Sequence, residues 1–224
     1  MISRRRQPLL SVAGLLALAV AAGCNSAPEK PQVSIHTAAE KGDKAGVEAN
    51  LAAGVPVDAL GRSEATALHY AAWGNHAELV TLLASKGATL DKVDGKDLTP
   101  LHYAAQNDYV ETVDALLTAG ANPNQRNAFG YAPLHAAAMQ NRLAAMDRLL
   151  AKGADIDIKD LKSKTPLHMA IKMKRSEAVQ RLIEKGADLN AVDGSGRTPL
   201  DEAKAVAEAE IVAALERAGA KPHR

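Results

Sequence analysis

The stretch of sequence that decides the fold is Thr99-Pro100-Leu101-His102-Tyr103-Ala104-Ala105. A threonine at this place accepts a hydrogen bond from a free N–H group at the start of a helix. Proline fits the first helical turn, because the donor that it lacks would have no partner there. The two alanines allow a neighbouring helix to approach closely. The stretch therefore predicts a short helix that begins at Pro100 and packs against other helices.

The same pattern recurs along the chain at a fixed interval. Thr165-Pro166-Leu167-His168 and Thr198-Pro199-Leu200 repeat its start, whereas Thr66-Ala67-Leu68-His69 and Ala132-Pro133-Leu134-His135 each lose one member. Two further sets of residues are spaced by 33 positions: His36, His69, His102, His135 and His168, and Gly54, Gly87, Gly120, Gly153, Gly186 and Gly219. Two independent ladders with one period predict a solenoid of similar units.

Each unit also carries the signals of a second helix. Paired aliphatic residues such as Leu116-Leu117 are expected to fill the core between units, and the helix should end at the glycine, which tolerates positive φ. The turn between the two helices has residues that tolerate the same conformation at Gly42, Asn75, Asp108 and Asn141. Lys174 and Ala207 depart from this pattern, which predicts strained or differently wound turns there.

The unit resembles the ankyrin repeat, which has a period of about 33 residues and the signature Thr-Pro-Leu-His-x-Ala. The resemblance implies an all-α solenoid of about six helix-turn-helix repeats joined by β-hairpin loops over residues 34–220. The repeats are expected near residues 34–60, 61–93, 94–126, 127–159, 160–192 and 193–220. Asp201 replaces the histidine in the last repeat, as expected of a terminal unit that faces water.

Residues 1–23 are typical of an export signal, with Arg4, Arg5 and Arg6 before an apolar stretch over residues 9–22. Ala21-Ala22-Gly23-Cys24 resembles the bacterial lipobox, in which the cysteine is acylated, and Cys24 is the only cysteine. Residues 24–33 contain two prolines and predict a flexible tether. The resemblance implies a lipid anchor at Cys24 on the periplasmic face of the envelope, with the outer membrane favoured over the inner in a Gram-negative host. An ordinary signal peptide and a soluble periplasmic or secreted protein remain the alternative.

Composition and motifs argue against several functions. Removal of residues 1–23 leaves 24 basic and 26 acidic residues, so no basic excess favours binding to nucleic acid. The histidine rungs should lie about 10 Å apart, whereas zinc ligands lie about 2.1 Å from the ion. No nucleophile with a base and no phosphate-binding loop is visible. The sequence therefore predicts no enzyme, no metal, no cofactor and no small-molecule substrate.

The candidate site follows from the resemblance. In ankyrin proteins the concave surface is formed by hairpin tips and exposed positions of the first helix. Five of the six aromatic residues occupy such positions in repeats two to four, and two methionines extend the set: Tyr70, Trp73, Tyr103, Phe129, Tyr131, Met139 and Met169. Aromatic residues supply much of the binding energy of interfaces, so these residues predict a surface that binds a partner protein. The alternative is that Tyr70 and Tyr103 only cover the adjoining helices.

A second surface of repeat five is rich in basic residues: Lys159, Lys162, Lys164, Lys172, Lys174 and Arg175. These residues predict either a docking place for an acidic segment or a solvated face. The resemblance also leaves open two other roles. The chain could be an immunity protein or an accessory factor for a neighbouring envelope enzyme such as a catalase, or it could be a passive structural scaffold.

Overall fold

A computed structural model describes residues 33–222, so the predicted export signal, the predicted acylation site Cys24 and nearly all of the predicted tether lie outside the described residues. Within that range the chain forms twelve α-helices in six consecutive pairs. None of these helices has both the length and the hydropathy needed to cross a bilayer. The helices are α1 (Ile35–Glu40), α2 (Lys44–Ala52), α3 (Ala67–Trp73), α4 (Ala77–Ser85), α5 (Pro100–Gln106), α6 (Val110–Ala119), α7 (Pro133–Met139), α8 (Leu143–Ala151), α9 (Pro166–Lys172), α10 (Ser176–Glu184), α11 (Pro199–Ala205) and α12 (Ala209–Arg217).

The first helices of successive pairs pack on one another, as do the second helices, which gives a two-layered solenoid. The alanine pairs of the first helices, such as Ala104 and Ala105, are completely buried. The core between the layers contains a ladder of fully buried leucines: Leu83, Leu116, Leu149 and Leu182. Small residues in one layer and leucines between the layers allow each repeat to bury its apolar surface only against its neighbours. The predicted all-α solenoid is confirmed.

The loops between repeats differ from the prediction in one respect. The resemblance implied β-hairpins, but residues 33–222 contain no β-strand. The loop before α5 reverses direction through two backbone hydrogen bonds, from Asp94 N to Leu98 O at 3.0 Å and from Asp97 N to Asp94 O at 2.9 Å. The Asp94 side chain then accepts hydrogen bonds from Lys96 N and Leu98 N. Because the carboxylate takes the N–H groups that a strand partner would take, the turn is stable without a ladder.

The turns within the last two repeats have the same winding as the earlier ones. Lys174 and Ala207 have φ values of 57° and 55°, next to 59° at Asn75 and 61° at Asp108. The prediction of differently wound turns is therefore wrong. Side chains in this left-handed region cost roughly 1–2 kcal/mol each, and only asparagine and aspartate offset that cost with local hydrogen bonds. The positive φ angles of Lys174 and Ala207 agree with the other part of the prediction, which was backbone strain at these two turns.

Adjacent repeats are also joined by a ladder of hydrogen bonds that the sequence analysis overlooked. An aspartate or asparagine in each loop accepts a hydrogen bond from a backbone N–H 31 residues later, as in Asp58 to Thr89 N and Asn124 to Asp155 N. The acceptors recur every 33 residues: Asp58, Asp91, Asn124, Asp157 and Asn190. The ladder fixes the distance between neighbouring loops, and these loops carry the candidate site.

The two ends of the solenoid satisfy their polar groups differently. Asn50 stands where the other repeats have the buried leucine, and its Nδ2 donates to Val33 O and Gly46 O at 2.9 and 2.7 Å. In the last repeat Asp201 Oδ2 accepts from both Thr198 N and the Thr198 hydroxyl. A carboxylate thus takes over the local capping contacts of the histidine that it replaces.

Candidate partner-binding groove

The histidine ladder holds the loops against the first helices. In each of four repeats, Nε2 of the histidine lies 2.9–3.2 Å from a backbone carbonyl 29 residues later, in the next loop: His69 to Leu98, His102 to Tyr131, His135 to Lys164 and His168 to Arg197. Nδ1 accepts from a backbone N–H at the start of its own helix, as at Thr99 N with 3.2 Å. The histidines therefore link adjacent repeats.

This geometry assigns the protonation state of the rings. A carbonyl oxygen only accepts, so Nε2 carries the proton, and Nδ1 must be unprotonated to accept from a backbone N–H. Burial lowers the pKa of His69, His135 and His168, and it lowers the pKa of His102 to about 4. The four imidazoles are thus neutral in the folded protein at neutral pH, with both nitrogens engaged.

A groove of about 270 Å³ lies between the first helices and the loops of repeats two and three. Its lining includes Tyr70, Trp73, Tyr103 and Gln106 from α3 and α5, and Arg62, Asp94 and Lys96 from the loops. Trp73 is 53% exposed, although it is among the largest apolar side chains of the protein. Three of the predicted site residues therefore meet in one groove, and Arg62, Lys96 and Gln106 join them without having been predicted.

Tyr70 and Tyr103 occupy equivalent positions in their repeats. Each ring packs edge-on against the ladder histidine of the preceding repeat, with centroid distances of 5.7 Å from His36 to Tyr70 and 6.3 Å from His69 to Tyr103. Both tyrosines are half-buried, and both line the groove. Both tyrosines cover the adjoining repeat and still present one side to the groove. Covering the neighbouring helices and binding a partner are therefore compatible roles for these residues.

The floor of the groove contains a hydrogen bond between an aromatic residue and an acid. Tyr103 Oη donates to Asp94 Oδ2 at 2.6 Å. Burial and the bonded Asp94 carboxylate raise the pKa of Tyr103. Burial alone would raise the pKa of Asp94, but the hydrogen bonds from Tyr103, Leu98 N and Lys96 N outweigh it and lower that pKa. Asp94 is therefore ionised and fully engaged at neutral pH.

Phe129 and Tyr131 lie outside this groove, at the loop tip of repeat four. Their rings stack with a centroid distance of 6.0 Å, and Phe129 is 65% exposed. Leu161 on the next loop is 73% exposed, and its N–H donates to Phe129 O at 3.3 Å. Sequence reasoning missed Leu161. The signal that could have found it is a large apolar residue at a loop position where other repeats have small ones, namely Gly95, Ala128 and Gly194. The three side chains form a second apolar spot, which we call the loop-tip cluster.

The two predicted methionines are placed differently from the aromatic residues. Met139 is half-buried at the end of α7, at the position equivalent to Trp73. Met169 is only 1% exposed, so its predicted place on the binding surface is wrong. Met169 occupies the position equivalent to Tyr70 and Tyr103 in their repeats, and even these larger side chains are half-buried there. The shorter, flexible methionine side chain is covered completely there.

The basic patch predicted in repeat five is smaller than the sequence indicates. Lys164 Nζ lies 2.7 Å from Asp193 Oδ2 and 3.4 Å from Glu202 Oε2, and its side chain is only 12% exposed. Lys174 pairs with Glu208 at 2.8 Å, and Arg175 Nε donates to Met139 O. Arg175 is exposed but is held by that hydrogen bond, and the other three cations are exposed and form no ion pair in the described part of the chain: Lys159, Lys162 and Lys172.

No group of three or more histidine, cysteine, aspartate or glutamate side chains in residues 33–222 is arranged to hold a metal ion. His69, His102, His135 and His168 each use both nitrogens for protein hydrogen bonds. His76, which lies off the ladder, places Nε2 3.0 Å from Glu40 O. A β-carbon on either Gly42 or Gly74 would meet its ring within 2.7 Å. Its role is thus to pack between two glycines of neighbouring turns.

The helix pairs, the two-layered core and the ladders between repeats define the class of the protein, a helical-repeat solenoid. A family model described as "Ankyrin repeats (3 copies)" matches residues 35–127, 116–193 and 134–224. The chain belongs to the ankyrin-repeat family.

Among solved structures, the crystal structure of the human ASB11 ankyrin repeat domain is similar, with a TM-score of 0.74 and 28% sequence identity over 85% of each chain. A search of curated proteins gives no match. Ankyrin repeats indicate a protein–protein interaction module, and the fold is known as a non-catalytic scaffold.

Proposed function

We propose that this chain is a lipid-anchored interaction module of the bacterial cell envelope, which binds a partner protein through the loop and first-helix face of repeats two to four. The groove around Trp73 is the observation that carries this proposal. A tryptophan that is 53% exposed in a recess of about 270 Å³ leaves a large apolar area in water. Insertion of a partner side chain removes that area from water, which is how aromatic hot spots contribute to binding.

The loop-tip cluster extends the proposed interface into repeat four. Phe129 and Leu161 are the two most exposed large apolar side chains among the described residues, at 65% and 73%. They stand on the same loops whose bases are fixed by the histidine ladder. A partner that fills the groove and continues along the loops would cover both apolar areas at once. Isolated exposed apolar residues are ordinary, but two groups on one face favour a common partner.

The envelope location is supported by the N-terminal sequence alone. The three arginines, the apolar stretch and the small residues before Cys24 form the order of an export signal with a lipobox. A lipid attached to Cys24 would hold the repeat domain at a membrane through the segment that precedes α1. Cys24 is also the only cysteine, so acylation would leave no free thiol in an exported protein.

Mass spectrometry of the mature N-terminus tests the anchor. The expected product begins at Cys24 and carries the mass of bound acyl chains, and a Cys24→Ala variant should leave the membrane fraction. Recovery of a chain with an intact, unacylated Cys24 would contradict the lipoprotein assignment. It would leave the interaction groove untouched.

Partner capture tests the groove. We expect Trp73→Ala to reduce recovery of a specific envelope protein at least tenfold, since truncation of an aromatic hot spot costs about 2 kcal/mol or more. Lys86→Ala is the matched control, because Lys86 is an exposed long side chain at the end of α4 in the same repeat, away from the groove. Equal recovery by Trp73→Ala and the unaltered chain would refute the groove as the binding surface.

A further inference from the structure

The face that carries the groove also carries a row of cations that form no ion pair within residues 33–222. Six exposed residues on four consecutive loops and the end of α9 make no ion pair within residues 33–222, and we call them the basic row: Arg62, Lys96, Arg126, Lys159, Lys162 and Lys172. Several cations on the second helices do form ion pairs. Arg148 pairs with Asp114, and Arg181 and Lys185 both pair with Asp147.

The acids at the loop tips do not neutralise the basic row. Asp94 and Asp160 are 5% and 6% exposed, and each accepts hydrogen bonds from backbone N–H groups of its own loop. Three exposed acids, Glu64, Asp97 and Asp155, share these loops, but none of them lines the groove. Arg62 and Lys96 do line it, together with the aromatic side chains. The groove is therefore an apolar recess with a cation from each of its two loops.

We propose that the groove and the basic row bind an extended acidic segment of a partner protein, with one apolar side chain in the groove and carboxylates on the cations. This inference rests on the proposed function and names the chemistry of the partner. Packed helix layers lie about 10 Å apart, and a chain in the extended polyproline II conformation advances about 3.1 Å per residue with three residues per turn, so that every third side chain lies on the same side. Acidic side chains about three residues apart would therefore meet successive loops.

An anionic membrane surface is the other class of partner that a row of cations suits. The groove favours the peptide. Its lining includes the half-buried Tyr103 and the buried Asp94, which are less exposed than Trp73 and the loop cations Arg62 and Lys96. A flat headgroup layer would leave the groove unfilled, whereas an apolar side chain between two acids would fill the groove and place carboxylates on the cations at its rim.

The test measures binding of a fluorescent peptide to the full chain in detergent by anisotropy. The probe is an extended twelve-residue peptide with glutamate at every third position and one central phenylalanine. The control peptide has glutamine in place of each glutamate. The variant Arg62→Gln/Lys96→Gln/Lys162→Gln removes three charges from the basic row. The matched control Lys44→Gln/Lys86→Gln/Lys152→Gln removes three exposed charges from the second-helix side.

We expect saturable binding of the glutamate peptide, which weakens about tenfold in the basic-row variant and with added salt, but is unchanged in the control variant. Equal binding of the glutamine peptide, or an equal loss in both variants, would overturn the proposal. So would binding to phosphatidylglycerol vesicles without binding to the peptide. If the glutamate peptide does not bind but capture of the envelope partner still depends on Trp73, the proposed function is supported and the inference of an acidic segment is refuted.

Discussion

Tyr103 Oη donates a hydrogen bond of 2.6 Å to Asp94 Oδ2, which ties helix α5 to the loop that precedes it. The same carboxylate accepts from Lys96 N and Leu98 N. One acid therefore fixes both the shape of the loop and its distance from the first helix. The loop and the helix are the two walls of the groove, so this contact sets the width of the candidate site.

Removal of the hydroxyl should destabilise the protein without changing its fold. Tyr103→Phe is expected to lower the free energy of unfolding by about 1.5 kcal/mol, the range for a hydrogen bond to a charged group. The matched control is Tyr70→Phe, since the Tyr70 hydroxyl reaches only Arg62 O at 3.5 Å. Urea unfolding measures both. A Tyr103→Phe variant as stable as Tyr70→Phe would show that the hydroxyl contact contributes nothing.

The buried histidines should make stability depend on pH. Unfolded imidazoles bind protons below about pH 6.5, whereas burial lowers the pKa of His102 to about 4 in the folded chain and also lowers that of His69, His135 and His168. The unfolded state therefore gains protons first as the pH falls. This contribution to stability is complete above pH 6.5 and is lost progressively toward pH 4.

Urea unfolding between pH 7.5 and pH 4.5 checks this dependence, with an expected slope of up to about 1.4 kcal/mol per pH unit for each proton bound. His102→Gln removes one of the titrating groups. Its curve should start lower, because a ring that bridges two repeats is lost, and should fall less steeply. Parallel curves for the two proteins would contradict the assignment of a lowered pKa to His102.

The ion pairs of Lys164 should matter more than any exposed charge of repeat five. Asp193 has a side chain with no exposed surface, and its pKa is lowered to about 2 despite burial, because Lys164 and the backbone N–H groups of Arg197 and Ser195 contact it. Lys164→Met leaves this carboxylate and that of Glu202 without their shared cation. We expect a loss of about 2 to 4 kcal/mol.

Lys162→Met is the control for that substitution, because Lys162 is exposed on the same loop and makes no ion pair in the described chain. It should change the free energy of unfolding by less than about 0.5 kcal/mol. Denaturant unfolding at pH 7 gives both values. Equal effects of the two substitutions would mean that the Lys164 pairs are no stronger than surface contacts.

One substitution should stabilise the protein. Asn75, Asp108 and Asn141 each use their side-chain oxygen to accept a hydrogen bond from the next repeat, on Thr112 Oγ1, Ala145 N and Ala178 N. Lys174 occupies the same turn position with φ 57° and has no side-chain acceptor. Its contact with Glu208 is an exposed ion pair, which contributes little.

Lys174→Asn is therefore expected to raise the free energy of unfolding by about 1 kcal/mol, since asparagine suits the left-handed conformation and can accept from the following repeat. Lys172→Asn, the same change at the exposed end of α9, should leave stability unchanged or slightly reduced. Thermal unfolding distinguishes the two. A decrease in stability at position 174 would argue that the Glu208 ion pair holds the last repeat in place.

The sequence by itself determined the parts of the fold that repeat every 33 residues. The Thr-Pro starts, the alanine pairs and the leucine ladder act within one repeat or against an identical neighbour, so their register predicts both helix position and burial. The sequence also placed Tyr70, Trp73 and Tyr103 on one face, and the structure brings them together in one groove.

Tertiary structure decided which of the remaining side chains are exposed to solvent. Met169 and Lys164 are covered, which their register does not predict. Leu161 is 73% exposed at a position where other repeats have glycine or alanine, and the register alone does not give that exposure. The physical reason is that the exposure of a loop or first-helix residue depends on groups in the next repeat, about 30 residues away. Lys164 is buried because it pairs with Asp193 and Glu202, and Glu202 stands where the two preceding repeats have the uncharged Met169 and Ala136. The 33-residue period fixes the position of a residue on its helix or loop, and the residues packed around it fix how exposed its side chain is.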